Sequence, residues 1–537
     1  MLLLKAYNSK VEISCQDEAL LKKAKKLLNI YWVDKRDNQL NSVYLGRGNF
    51  FPIGFLPQFL EKLKKKSLLF ELTDLRSKVH ISRQNLKFNS QLTPMPHQEK
   101  ALEQVKLNDM GILSSPTASG KAFMIGLTIA DKFTTSLVIV PTTQIRDQIA
   151  ENLKEWFGSK AISIDVPVKP FLPEVKEEIE EESEVDQDLE ENPFSFMLKK
   201  KKEKKKETPY EKMKRLRIES IKRKLKKGDW YKPITVLCWQ SLKDLPPDYI
   251  KALGLIVIDE CHTASVKAIR DVLFKAENAP YRYGFSATPW RDQPHNFKLM
   301  QSALGSNVIF DYSPEEAIDD EVIAKPNLNI IEAAFPKVFL KNTKNYRRLV
   351  DEGIIRNEAR NEQIVKKAIE LYDDHNQVFI AIDEVSHFEG KMNEIVDKNG
   401  QVSFERDKDV SYSLKAIFER YNQPVIFISG NDSTKEKNEK IKALRNETGG
   451  FILVGTMAVG IGTDIPGINK VINASTGESS IRFLQRIGRG MRNHHEKNKV
   501  LEVFDFMDRW NQKTKAFSIK RINHFRKHFK GCKVFGF

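Results

Sequence analysis

The chain has 537 residues, too many for one hydrophobic core and enough for about three domains of ordinary size. At 40% hydrophobic and 30% charged it reads as a soluble globular protein, and its four cysteines, with no C-x-x-C pair, support neither a disulfide framework nor a zinc site. Lys plus Arg number 88 against 72 Asp plus Glu, a net charge of +16, which makes a polyanion the first partner to expect. No apolar run reaches the roughly 18 residues of a membrane span, and MLLLKAYNSK turns polar too early for a signal peptide, so the expectation is a cytoplasmic protein without membrane contact.

Residues 1–90 alternate short extended runs (LLLKAY, VEIS, SVYLG, LLFELT) with two amphipathic helical stretches, EALLKKAKKLL and LPQFLEKLKKK. They predict a small α/β accessory domain, rich in lysine, that binds nucleic acid. SRQNLKFNSQLTPMP, with two prolines, reads as a linker.

From 91 to 318 the pattern changes to apolar β-branched runs separated by helices, the mark of strands buried on both faces of a parallel sheet. SPTASGKA at 115–122 approximates the phosphate loop G-x-x-x-x-G-K-[ST], with Ser115 in place of the first Gly and Ala122 in place of the hydroxyl. Alone it could be a surface turn. Its setting, after the strand MGILSS and before the helix AFMIGLTIADKF, is the strand–loop–helix context a phosphate cradle requires. The cradle residues are then Pro116, Thr117, Ala118, Ser119, Gly120, Lys121 and Ala122. Thr117 and Ser119 are candidates to replace the missing hydroxyl.

Within this domain, EVKEEIEEESEVDQDLEE at 174–191 and KKKKEKKK at 199–206 mark a charged insertion over 166–230. Blocks of like charge repel themselves and stay solvated. The sharper alternative is that the basic half grips phosphates and the acidic half competes for it. Further on, LGLIVIDECH ends an apolar strand in two carboxylates, at the end of a parallel sheet where ligands bind. Asp259 suits a Mg²⁺ ion, and Glu260 suits the water that attacks a γ-phosphate.

A second set of buried runs (QVFIAI, PVIFIS, GFILVGT, NKVINA, KVLEVFD) defines a domain over 319–537. NEIVDKNGQVSFERD inserts a hairpin signal at Asn399-Gly400, within 396–410, that a plain α/β unit does not need. This hairpin is a candidate wedge, with Phe404 and Tyr412 able to stack on an unpaired base, or else a surface insertion with buried aromatics. The basic tail KAFSIKRINHFRKHFKGCKVFGF either packs as a helix on this domain or tracks phosphates.

In this order the motifs make the chain resemble a superfamily 2 helicase or translocase of the DExH kind, from Gln98 in MPHQEKAL to Arg492 in QRIGRGMR. The resemblance implies two tandem RecA-like doubly wound parallel-sheet domains, in an α/β fold, behind the small N-terminal domain. It assigns Gln98 to adenine, Lys121 to phosphate, DECH through His262 to metal and water, and Ser286 and Thr288 of GFSATPWR to coupling. VIVPTTQIRDQ, ITVLCWQSL, PVIFISG and VGTMAVGIGTDIPG supply the nucleic-acid contacts Thr142, Gln144, Arg146, Gln240, Ser429, Gly430 and Thr456. In the last of these Gly462 and Asp464 face the nucleotide. Gln485 senses the nucleotide, and Arg489 and Arg492 are carried over as arginine fingers in a cleft between the sheet domains.

Within the superfamily, GNFFPIGFLPQFLEKLKKK and IIRNEARNEQIVKKA, leading into QVFIAIDEVSHFEG, are most similar to the phage recombination and repair helicases of the UvsW type. That likeness implies ATP- and Mg²⁺-dependent unwinding and branch migration of forked or Holliday-type DNA by a monomer. The residues leave open an RNA helicase, a duplex translocase of the restriction or remodelling kind, and, because of Ala122, an ATP-gated nucleic-acid clamp.

Overall fold

The computed structural model describes residues 1–33, 39–78, 86–166, 232–289, 294–373, 376–396, 402–407, 409–447, 449–456, 467–477, 480–488, 490–491 and 500–536. Most of the charged insertion therefore lies outside the described residues. The chain divides into two compact units, Met1–Leu113 with Ala122–Phe310, and Ser114–Lys121 with Asp311–Phe537.

The first unit opens with β1 (Leu2–Ala6), β2 (Lys10–Ser14), β3 (Asn29–Val33), β4 (Leu40–Tyr44), β5 (Phe50–Pro52) and β6 (Phe70–Asp74). β5-β2-β1-β6 form one sheet, and β3-β4 form a separate antiparallel ribbon. Alternation sets the sheet: in LLLKA every second side chain is buried. The helix Leu56–Lys65 covers that face with Phe59 and Leu63, four residues apart and therefore on one side. The module packs on the rest of the unit at backbone distance: a Cβ on Gly54 would meet the carbonyl oxygens of Gln301 and Ser302 at 2.6 and 2.7 Å. Lys10 reaches Glu277 at 2.6 Å, and Arg47 pairs with Asp271 while lying over the Phe274 ring.

β7 (Met110–Ser114), β8 (Ser136–Val140), β9 (Ile162–Ser163), β10 (Ile234–Cys238), β11 (Leu255–Asp259), β12 (Tyr281–Ser286) and β13 (Val308–Asp311) form a seven-stranded sheet in the order β13-β7-β12-β11-β8-β10-β9. β12, β11, β8, β10 and β9 pair in parallel. SLVIV, ITVLC and LIVID are buried at every position, as strands covered on both faces must be. The segment expected to be a linker is pinned here instead. Phe88 packs against Phe123, Trp156 and Phe157, and Asn89 N donates to Trp156 O. One aromatic ring in a proline-flanked stretch is enough to dock it.

In the second unit β14 (Lys325–Glu332), β15 (Gln377–Ile382), β16 (Met392–Val396), β17 (Val402–Arg406), β18 (Ile426–Ile428), β19 (Phe451–Thr456), β20 (Ile468–Asn473), β21 (Val500–Met507) and β22 (Val534–Phe535) follow. Seven of them form a fully parallel sheet, β18-β19-β15-β20-β21-β14-β22. β16 and β17 stand apart as an antiparallel hairpin with Val396 opposite Val402. The basic tail packs: the helix Gln512–His528 buries Phe517, Ile522 and Phe525, and Val534–Phe535 extends the sheet edge beside β14. Aromatics spaced along one helical face explain why the bases and rings interleave.

Among the described residues of this unit, His387 is buried and His528 half-buried, and both are held in their neutral form. Burial, reinforced by the Arg360 charge, lowers His387 to about 3, and burial lowers His528 to about 4. His387 Nε2 lies 2.8 Å from Asn361 Oδ1, which accepts its proton. The unfolded chain would protonate both near pH 6.5. Their contribution to stability is therefore complete above that pH and is lost as pH falls toward 4, by up to roughly 1 kcal/mol per pH unit per histidine. The urea midpoint of the second unit is expected to drop between pH 7.5 and 5.5, and His387→Asn to flatten the profile. A profile already flat in the native sequence would contradict the neutral burial.

Candidate active site

The phosphate-loop segment leaves β7 and enters the helix Lys121–Lys132. Two of its residues, Ala118 (φ 71°) and Gly120 (φ 81°), take the left-handed conformation, which turns successive backbone N–H groups to one side. The loop is tied from within: Ser119 Oγ donates to Pro116 O at 2.8 Å and meets Ser115 Oγ. Ser115, which stands where a glycine was expected, thus serves as a brace. Lys121 Nζ folds back on Pro116 O (3.0 Å) and Ser115 O (3.3 Å), an ammonium held at the mouth of its own loop. Of the two hydroxyls considered as substitutes for that missing at Ala122, Ser119 is committed to the loop. Thr117 remains.

β11 delivers Asp259, 8% exposed, and Glu260 at its carboxyl end. Glu260 is left-handed (φ 50°, ψ 56°), an uncommon and strained conformation for a side-chain-bearing residue. Thr263 holds it there, donating to Glu260 O from its N (2.9 Å) and Oγ1 (3.0 Å). The carboxylate is aimed by two partners. Ser286 Oγ, at the end of β12, donates to Glu260 Oε2 at 3.0 Å, and His262 Nδ1 lies 3.2 Å from the same oxygen. Thr288 N donates to Ser286 Oγ at 3.2 Å. The structure therefore joins Glu260, His262, Ser286 and Thr288 in one hydrogen-bonded group, linking the end of β11 to the turn after β12.

Mg²⁺ prefers hard oxygen ligands, keeps several waters, and needs only one or two carboxylates beside phosphate oxygens. Asp259 offers such a carboxylate at the end of a buried strand, so the donor set fits a Mg²⁺ shared with a nucleotide. Ala122→Ser, which restores a hydroxyl in the first turn of the helix, is expected to leave turnover unchanged or to lower the Mg²⁺ concentration for half-maximal rate. Titrating Mg²⁺ in an ATPase assay checks this, and inactivation would show that Ala122 does not lie beside the metal.

The other predicted residues fall as follows. Gln98 is buried, and its side chain accepts from Met95 N at 3.0 Å, closing the start of the helix Pro96–Leu107. Thr142 caps the helix Thr143–Phe157, Gln144 lies in that helix's first turn, Arg146 pairs with Asp147, and Gln240 is exposed in a short 3₁₀ turn. Ser429 and exposed Gly430 follow β18, and Ser429 N donates to Asp432. Thr456 ends β19, 7% exposed, with a hydroxyl that finds no partner among the described residues. Gln485 lies on the helix Ser480–Ile487. Gly462, Asp464, Arg489, Arg492, Asn399 and Gly400 lie outside the described residues, while Phe404 sits on β17.

Tyr412 corrects the stacking expectation. It is 6% exposed, its hydroxyl accepts from Lys391 N at 2.9 Å, and Arg356 lies over its ring. The ring anchors the base of the hairpin, because a tyrosine with a satisfied hydroxyl packs better there than in water.

Arg486, inside QRIGRGMR, was assigned no role and is 4% exposed. It donates to Asn473 Oδ1 (3.0 Å) at the end of β20 and to Asp383 just beyond β15. Asn473 in turn donates to Asp505 at 2.6 Å, which pairs with Arg521 at 2.9 Å. This arginine ties the motif's helix to the sheet. Only its partners, Asn473 at 13 residues and Asp383 at 103 residues away in sequence, distinguish it from the arginines that follow.

Two family profiles match: "Type III restriction enzyme, res subunit" over residues 91–291 and "Helicase conserved C-terminal domain" over residues 390–494. The ATP-dependent DNA helicase uvsW of Enterobacteria phage T4 is 24% identical over 454 residues, 82% of this chain and 74% of that protein. Putative helicase 22 of Sulfolobus islandicus filamentous virus is 26% identical over 305 residues, 54% of this chain and 48% of that one. Among solved structures, the fragment of a putative HsdR subunit of a type I restriction enzyme from Vibrio vulnificus YJ016 has the same fold at a TM-score of 0.50 and 15% identity. It covers 96% of this chain and 81% of its own.

Proposed function

The chain belongs to superfamily 2 as an ATP-hydrolysing helicase of the DExH kind that binds nucleic acid, and from that premise we propose that it unwinds and branch-migrates forked and four-way DNA in replication, recombination and repair. The observation that carries the branched-substrate reading is the hairpin β16–β17. It forms its own two-stranded sheet and is clamped at its root, where Arg356 pairs with Asp407, Lys391 pairs with Asp351, and the Tyr412 hydroxyl holds the Lys391 amide. A motor parts two strands only if a stiff element meets the junction, and this one is stiffened where it joins the body.

The chemistry follows from the residues. Lys121 exchanges its loop carbonyls for the terminal phosphates of ATP, a better partner for an ammonium. Glu260, aimed by Ser286 and His262, orients the attacking water and takes its proton. Asp259 would hold Mg²⁺, whose charge offsets that on the transferring phosphoryl group. Arg489 and Arg492 serve as the arginine fingers, and Gln98, Gly462, Asp464 and Gln485 contact the nucleotide. The Ser286–Thr288 turn, bonded to Glu260, carries the change outward. Thr142, Gln144, Arg146, Gln240, Ser429, Gly430 and the Thr456 hydroxyl, which has no partner among the described residues, grip the backbone, which carries no base sequence.

Steady-state ATPase and unwinding assays on single-stranded, forked and four-way DNA beside RNA test the reading. Forked and four-way DNA are expected to stimulate hydrolysis and to be unwound. No stimulation by any DNA, or equal stimulation by RNA, would refute it. Replacing residues 394–404 with a short glycine turn, which leaves Asp407 and Tyr412 in place, is expected to abolish fork unwinding and spare DNA-stimulated hydrolysis. Loss of both activities, or of neither, would rule out the hairpin as wedge.

A further inference from the structure

The ribbon β3–β4 has two unlike faces. Antiparallel partners share a face, and the register pairs Val33 with Leu40, Tyr31 with Ser42 and Asn29 with Tyr44. The alternate pairs, Ile30 with Val43 and Trp32 with Asn41, point the other way. That second face is occupied: Ile30 is 2% exposed in the module core, and Trp32 stacks on His295 with ring centroids 4.0 Å apart. The first face is open, with Leu40 71%, Tyr31 56%, Val33 52% and Tyr44 47% exposed. Four large apolar side chains in one patch on a lysine-rich module are an unusual thing to leave in water.

The arrangement is a platform. Tyr31 and Tyr44 are diagonal neighbours across the ribbon, about 7–8 Å apart in backbone terms, with only the small Ser42 between them. Tyr44 lies over Gly46, where a Cβ would stand 2.4 Å from the ring, so the glycine lets the ring lie down. The ribbon is also held firmly. Lys62 Nζ donates to Leu27 O (2.7 Å) and Asn29 O (3.1 Å) at its root, and Trp32 pins its far face to the helix Pro294–Leu304.

Charge selects the occupant. The first 78 residues carry 15 Lys and Arg against 8 Asp and Glu, and Lys22, Lys23 and Lys26 are exposed on the helix that leads into β3. A second copy would bring a like-charged module against this one. A polyanion with flat, apolar bases fits both the rings and the lysines.

We infer that the open face of β3–β4 is a stacking platform for unpaired bases of the DNA substrate, with Tyr31 and Tyr44 as the stacking rings and the neighbouring lysines on the phosphates. The inference rests on the DNA reading above and adds a second contact, outside the motif residues, for bases freed at a branch.

The test is fluorescence anisotropy with full-length protein, at fixed salt, on labelled single-stranded DNA, a fork and a blunt duplex. Replacing Tyr31→Ala and Tyr44→Ala together is expected to weaken single-strand and fork binding, by roughly 5- to 150-fold for each base that loses its ring, with blunt-duplex binding and melting temperature unchanged. Tyr31→Phe with Tyr44→Phe is expected to keep affinity, since stacking needs the ring and not the hydroxyl, and Tyr31→Leu with Tyr44→Leu to lose it. Unchanged single-strand and fork affinity in the alanine pair would overturn the platform. So would equal loss on the blunt duplex, full affinity in the leucine pair, or loss of self-association with DNA binding intact. A native protein that binds none of these DNAs would instead overturn the function on which the platform depends.

Discussion

Glu260→Gln is expected to cut ATP turnover by roughly 10²–10⁴-fold, the range for removing a positioned proton acceptor, while ATP still binds. The change is nearly isosteric. The amide oxygen can still accept from Ser286 Oγ, so the left-handed turn and its Thr263 bonds stay in place, and what is lost is the ability to take a proton from water. Lys121→Ala should behave differently. Its ammonium is the only cation the loop itself contributes, and its removal is expected to abolish both nucleotide affinity and turnover. Fluorescent-nucleotide binding beside steady-state hydrolysis, at saturating single-stranded DNA, separates the two. A Glu260→Gln rate close to the native one would remove this residue from the chemistry, and a variant unable to bind ATP would mean that its role is to shape the site.

The second large effect is expected in stability. Arg360 and Asp508 are fully buried and joined at 2.9 Å, and Arg360 also donates to Ala474 O while Trp510 Nε1 donates to Asp508. Arg360→Met removes the cation and leaves a buried carboxylate without its partner, a change that costs about 3–5 kcal/mol. Against the usual 5–15 kcal/mol of a folded domain this is a large fraction, and it exceeds the cost of losing one exposed pair such as Lys435–Glu439 several-fold. Urea unfolding of the full chain should show the second unit melting early. Arg360→Met combined with Asp508→Leu is expected to recover much of the loss, because two apolar groups leave no buried charge. A single variant as stable as the native chain would mean that the carboxylate finds another partner or takes up a proton.

The legible part of the site was the part made by neighbours in sequence. SPTASGKA between a strand and a helix, DECH closing an apolar run, and SAT closing another each carry their chemistry within a few residues, and strand ends of a parallel sheet bring the last two together. The Asn399-Gly400 signal announced a hairpin because turn chemistry is local, and β16 and β17 pair around it. The roles of Ser115 and Gln98 were less legible. Both occupy motif positions, yet Ser115 braces a loop and Gln98 closes a helix start, bonds that a pattern of residue types does not specify.

Sequence by itself determined the two parallel sheets, the order of the motifs, the ATP-dependent helicase chemistry and the basic charge. The sheets, the motif order and the charge follow from periodicity, short-range motif geometry and composition, and the helicase chemistry follows from the family resemblance that the ordered motifs carry. Tertiary structure alone decided which arginine of QRIGRGMR is an anchor, since Arg486 is defined by Asp383 and Asn473. It alone buried Tyr412, docked Phe88, and gave NIYWV a partner strand that turns Trp32 inward and Tyr31 outward. The reason is the same in each case. Burial and ion pairing are set by residues far away in the chain, and on a strand one step of register exchanges the face that packs for the face that meets solvent.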